Sequence, residues 1–443
     1  MLPPVASRPP EPMPSARPVL MAVVQQHAEE AALLRHQRSV LVRAPHVGLL
    51  QLGRLDERIA AHLDGLAVAG AAGTALCVAA LEQPGAGEVF ALAVRALESR
   101  DEMQLAHLLA LAEILPDARR GLASALGWVS AAQLQGVVRR LLDADAPHAV
   151  ALGLTACRLH RVDPGLRLAG ALDDHTPVLR AAALQAAGAL GRTDLLPQVR
   201  SALVDASPEV VLQAARAACL LGERQASPQV LAVAARQATP EAPQSMALAL
   251  AVLPFDDAAA LARSVSATAQ AQPADALARR RLVRALGLLG DPRFVPWLIE
   301  RMTEPPLARL AGEAFSWITG ADLARLQLET LTAPPLPEQP NDDPLDDNVA
   351  LDEDHSLPWP DIPRIQQWWA QASPALPAAA GGQRLFMGQP PGIAAAREVL
   401  AQGTQRQRAH AATLLCLLQP GRPLFPVAAP ARRQQRWLAG EPA

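Results

Sequence analysis

Pro177 and Pro208 lie 31 residues apart, and the chain around them runs in register. Asp174 falls on Asp205, Leu179 on Val210, Ala183 on Ala214, Ala186 on Ala217, Leu190 on Leu221 and Gly191 on Gly222. The register continues across the next turn, where Pro197, Gln198 and Val199 fall on Pro228, Gln229 and Val230. A period of this length, with a Leu-Gly step between two apolar stretches, predicts one pair of helices per unit. A unit that small cannot bury its apolar stripe alone, so neighbours must stack. Each feature has a local reason. Asp174 supplies an acceptor for free amides, and Pro177 costs nothing in a first helical turn. Ala183 and Ala186 let a neighbouring helix come close, and Gly191 ends the helix by permitting positive φ.

The pattern weakens in both directions. Asp145, Ala146 and Pro147 begin a fainter unit 30 residues before Pro177, and residues 290–298 repeat the 191–199 turn at an offset of 99. Roughly seven or eight helix pairs fit between residues 67 and 332. Half of the residues are hydrophobic, yet only 3% are aromatic and tyrosine is absent. Alanine and leucine carry the apolar content, which suits close-packed helices and not sheets. The expected fold is therefore all-α: an α-solenoid of stacked helix pairs.

Around that array the composition shifts. Residues 1–18 contain seven prolines and are expected to be a disordered arm, and residues 19–66 read as an N-terminal helical cap. Residues 333–360 carry eight acidic side chains and no arginine, an acidic proline-rich linker. Residues 361–443 carry nine arginines against three acids and read as a helical C-terminal module with an arginine-rich tail. Contact between that linker and those arginines is the electrostatic expectation. The longest uncharged run, 65–81, reads as a buried helix, so no membrane association is expected.

The repeat pattern is similar to HEAT repeats. The chain also resembles, from end to end, a family of uncharacterised bacterial HEAT-repeat proteins often associated with type VI secretion gene clusters. The residues carrying the resemblance are 61–66 (Ala-His-Leu-Asp-Gly-Leu), 309–320 with Phe315 and Trp317, 357–360 with Trp359, Trp368 and Trp369, and the segments 405–408 and 433–436. The resemblance implies a link to type VI secretion; the expected role is an armadillo-like scaffold or adaptor for secretion cargo or assembly in the cytoplasm.

Catalytic signals are sparse. No lysine is present, which excludes Schiff-base chemistry and a P-loop lysine. The ten histidines form no HExxH, and Cys77, Cys157, Cys219 and Cys416 stand far apart within apolar patterns, as buried free thiols would. The acidic run 342–354 lacks the central glycine and the spacing of an EF-hand. No enzyme, cofactor or metal is expected. With a net charge of −3 and few aromatics to stack bases, a protein partner is favoured over nucleic acid. A HEAT-like enzyme or nucleic-acid-binding solenoid is the competing reading, and a basic groove would be its signature. The candidate partner contacts are the scarce tryptophans Trp359, Trp368 and Trp369, the helical arginines Arg280 and Arg284, the acids Asp346 and Asp347, and the tail arginines Arg432 and Arg433.

Overall fold

Helices account for every regular element that the computed structural model describes, which covers residues 19–330, 332, 354–376 and 382–440. Twenty-two α-helices and five short 3-10 helices lie among these residues, with two isolated β-bridges, Glu329 with Pro360 and Phe386 with Gln389. The arm 1–18 and most of the acidic linker lie outside them. The chain divides into two compact units, Met1–His36 with Glu57–Ala125, and Gln37–Asp56 with Leu126–Ala443.

In the smaller unit, the helix Ala86–Ser99 buries nearly every residue from Gly87 to Leu97. Such a helix must be surrounded, and Gly87 allows it: a Cβ there would stand 2.5 Å from the Ala32 carbonyl oxygen. The uncharged run 65–81 is not continuous. Gly70, at φ 57°, separates the helices Leu49–Val68 and Ala71–Ala79, and the chain bends by 115° there. Among the described residues no single helix is long and apolar enough to cross a membrane.

The 61–66 segment has a packing explanation. His62 Nδ1 lies 3.0 Å from His27 Nδ1, so one ring donates and the other accepts. A Cβ on Gly65 would sit 2.5 Å from the His27 ring, so the glycine clears the space that the pair needs. Burial, and then the neighbouring His27, hold the His62 pKa below its ordinary value.

The larger unit contains the repeats. Pro147–His160 packs on Pro177–Leu190, which packs on Pro208–Leu220, and Ala276–Leu289 packs on Pro305–Thr319. The second helices are Leu166–Leu172, Leu196–Ser201, Ala226–Ala234, Phe255–Ala271 and Val295–Arg301. Ala183, Ala186, Ala214 and Ala217 are at most 2% exposed, so the small residues do set the close approach of neighbouring helices.

The aspartates act differently from the expectation. Thr176 is the residue that precedes the Pro177–Leu190 helix, and the Asp174 carboxylate instead accepts from the Thr176 amide at 2.7 Å, closing a turn just before the helix. Asp205 does the same with Ser207 at 2.8 Å and also receives Arg180 Nη2 from the preceding copy at 2.9 Å. In this second copy the acid thus ties one unit to the next.

Residues 382–440 run along the ends of the first helices. A helix leaves its last carbonyls without intrahelical partners, and here another part of the chain supplies them. The Leu424 amide donates to the Ala189 carbonyl at 2.8 Å, Leu385 to Gly290 at 2.7 Å, and Met387 to Trp317 at 2.7 Å. Arg384 donates to the carbonyls of Ala251 and Leu253. The terminating glycines Gly191, Gly290 and Gly320 have φ near +73°, and they also let this segment touch them. A Cβ at Gly191 would lie 2.3 Å from the Gly421 oxygen, and one at Gly290 would lie 2.2 Å from the Leu385 oxygen.

Candidate functional site

The residues singled out by sequence divide into three groups. Arg280 and Arg284 lie one turn apart on Ala276–Leu289, as their spacing implies. The Arg280 guanidinium meets the Asp354 carboxylate at 2.6 Å and the Pro306 carbonyl at 3.2 Å, and both charged side chains are largely buried. Arg284 lies close enough to Glu313 to favour its charged form, as does Arg406, which grips both Glu313 oxygens at 3.1 and 2.9 Å. Burial outweighs both and raises the Glu313 pKa. Asp354 therefore joins an ionic seam next to the last repeat helix. It pairs with Arg280 of the repeats, while among the arginines of residues 361–443 Arg384 and Arg433 cap helix ends, and the wholly buried Arg408 donates to the Leu400 carbonyl at 2.7 Å and to Gln434 at 2.6 Å.

The tryptophans go inward. Ile362–Ala372 packs on Val295–Arg301. Its Trp368 and Trp369 stand edge-on to Phe315 at ring distances of 5.6 and 6.4 Å. Trp359 lies under the Arg309 guanidinium at 4.9 Å. In the tail, Arg433 is buried and donates to the carbonyls of Gly127, Trp128 and Val129, whereas its neighbour Arg432 is exposed. Asp346 and Asp347 lie outside the described residues.

The open feature is a groove that the sequence reading passed over. It encloses about 970 Å³ where Phe255–Ala271 and Val295–Arg301 flank Ala276–Leu289. Its floor is apolar: Ala259 and Ala262 from one wall, Leu282 and Leu286 from the base, Phe294 and Trp297 from the other wall. Arg263, Arg279, Arg293 and Arg301 stand around it. Three carboxylates answer them, and Glu300, the most exposed of the three, meets Arg301 at 3.5 Å. Asp291, 1% exposed, is gripped by Arg293 through Nε at 3.0 Å and Nη2 at 2.6 Å, which raises the Arg293 pKa. Glu304 is shared by Arg279 and Arg301, and Arg301 also lies over the Trp297 ring at 5.2 Å. Arg263 makes no ion pair among the described residues and is exposed.

The groove exists because the repeat breaks there. Gly222 and Gly290 are 68 residues apart, more than two 31-residue periods, and the extra length goes into the 17-residue helix Phe255–Ala271. That helix turns small residues toward the base. A 17-residue stretch without proline or glycine, too long for the period, was the available signal.

Burial pushes the thiols of Cys77, Cys157 and Cys416 up to about 11 and that of Cys219 up to about 12, which makes them packing groups and poor nucleophiles. Among the described residues no group of three or more His, Cys, Asp or Glu side chains is placed to hold a metal ion. Comparison with protein-family models, with curated proteins and with solved structures finds no match for the chain.

Proposed function

We propose that this protein is a non-enzymatic scaffold or adaptor, a HEAT-like α-solenoid of stacked helix pairs that offers the 255–301 groove to a protein partner. The resemblance to the type VI secretion-associated HEAT family points to a role in secretion cargo handling or assembly in the cytoplasm. The single observation that carries the reading is the groove itself: an apolar floor with a charged rim, open in a unit whose other conspicuous tryptophans and arginines are consumed by packing. An apolar centre with a polar rim is the anatomy of a protein-binding patch. The stacking of successive first helices supports the solenoid part of the reading.

The test is affinity capture from the native host, with wild-type protein against a groove variant, Ala259→Met with Arg263→Glu. Neither side chain is buried, so both variants are expected to fold. A specific protein retained by the wild type and lost by the variant is the expected result. Recovery of no specific protein, or equal recovery by both, refutes the assignment of the groove. Truncation after residue 332 is a poor comparison, since it uncovers the helix ends that residues 382–440 cap.

A further inference from the structure

We propose that the groove takes an acidic segment carrying bulky aliphatic side chains, contributed by the partner protein. This rests on the scaffold reading and names the chemistry of its ligand. Four guanidiniums surround the groove and three carboxylates, Asp291, Glu300 and Glu304, answer them, leaving a local excess of one positive charge in a chain whose net charge is −3. Arg263 in particular makes no ion pair among the described residues, and it stands beside Ala262, at the lip of the apolar wall. The guanidiniums come from three helices and the turn before Val295. That spreads them around the opening, an arrangement suited to several carboxylates spaced along a chain.

Below the rim, the surfaces of Ala259, Ala262, Leu282 and Leu286 offer no hydrogen-bonding side chains. They reward aliphatic groups entering from above by removing apolar surface from water. A single-stranded nucleic acid would need aromatic faces open to its bases. Here the ring of Trp297 already lies against the Arg301 guanidinium, which leaves Phe294 as the other aromatic side chain of the lining, and the rest of the floor is Ala and Leu. The arginine rim with an aliphatic floor therefore favours the protein ligand over the nucleic acid.

The experiment measures fluorescence anisotropy of labelled probes with the full chain. The probes are an acidic 16-residue peptide of Glu, Ala and Leu, the same peptide with Ser for Leu, the same with Arg for Glu, and oligo-dT. The acidic Leu peptide is expected to bind, to weaken about tenfold with Arg263→Glu or with Ala259→Met, and to weaken with added salt. The Ser, Arg and oligo-dT probes are expected to bind at least about tenfold more weakly. Equal binding of oligo-dT or of the Ser peptide overturns the proposal, as does affinity that is indifferent to Arg263→Glu. A variant lacking residues 336–350 is expected to bind the acidic Leu peptide no more tightly than the intact chain. Binding that appears only in that variant would make the chain's own acidic segment the occupant and would also overturn the proposal. If no peptide binds while the native partner is still lost on Ala259→Met, the acidic chemistry is wrong and the scaffold reading stands.

Discussion

His410 gives a sharp test of how residues 382–440 are held. Its ring sits between Trp317 and Phe386, at centroid distances of 5.3 and 4.8 Å. Burial first, and then the neighbouring Arg384 guanidinium, push its pKa down to about 4 from an ordinary 6.5. The ring is neutral in the folded protein throughout the window between those values. The unfolded chain binds a proton there that the folded chain refuses, so stability falls as pH drops through the window and levels off below about 4. Across the full window of about 2.5 pH units the loss approaches about 3 kcal/mol, and at pH 5 it is about 2 kcal/mol. Some solvent access to the half-buried ring makes these upper figures. In His410→Phe the aromatic packing remains and the titration is gone. Urea unfolding at pH 7 and pH 5, followed by tryptophan fluorescence, is expected to show the wild type losing about 1–2 kcal/mol more than the variant between the two conditions. His160 is also held below its ordinary pKa, by burial and then by Arg433, but it is present in both proteins and cancels in the comparison. Equal losses in the two proteins would refute the neutral, desolvated ring.

Three further substitutions probe the packing. Gly290→Ala carries both the left-handed backbone penalty of about 1 kcal/mol and a collision with the Leu385 carbonyl, whereas Gly165→Ala, at φ 64° and ψ −133° with nothing within 4 Å, carries a backbone penalty of its own and no collision; limited proteolysis should cut near residue 385 in the first variant and not in the second. Arg433→Leu strips the donors from three carbonyls and is expected to cost about 3 kcal/mol in urea unfolding, with Arg433→Lys recovering part of it. Gly65→Ala is expected to destabilise by about 1–3 kcal/mol in wild type and by markedly less when His27 is also alanine, a coupling that a double-mutant cycle reads directly.

What could be read from the amino acids followed the range of the interactions. A 31-residue period fixes helices through contacts within one unit, so Pro177, Pro208 and the left-handed Gly191 and Gly222 were all legible. The partners of Asp174 were half legible: an acid before a helix announces a turn, but its repeat-mate's pairing with Arg180 depends on stacking. The second duty of Gly191, touching Gly421, has no periodic trace because the partner belongs to no repeat. The same holds for the arginines of residues 361–443. Their number suggested a surface for acids, whereas the structure spends Arg384, Arg408 and Arg433 on backbone and amide oxygens. The groove escaped notice since Ala259 and Ala262 look like helix-packing positions, and only a missing neighbour distinguishes an open alanine face from a covered one.

The row of capped helix ends has a consequence for how the chain is made. During synthesis, the helices ending at Leu190 and Leu289 leave the ribosome well before residues 385 and 424 that bond to their terminal carbonyls. Repeats that depend only on adjacent repeats can settle in order as they emerge. Here contacts of long sequence separation must wait, and they slow the last step of folding. Until residues 382–440 arrive, the nascent repeats carry unpaired carbonyls and an uncovered apolar flank. A chaperone that recognises such a flank would meet this protein late in translation, and a ribosome stalled before residue 380 would expose it.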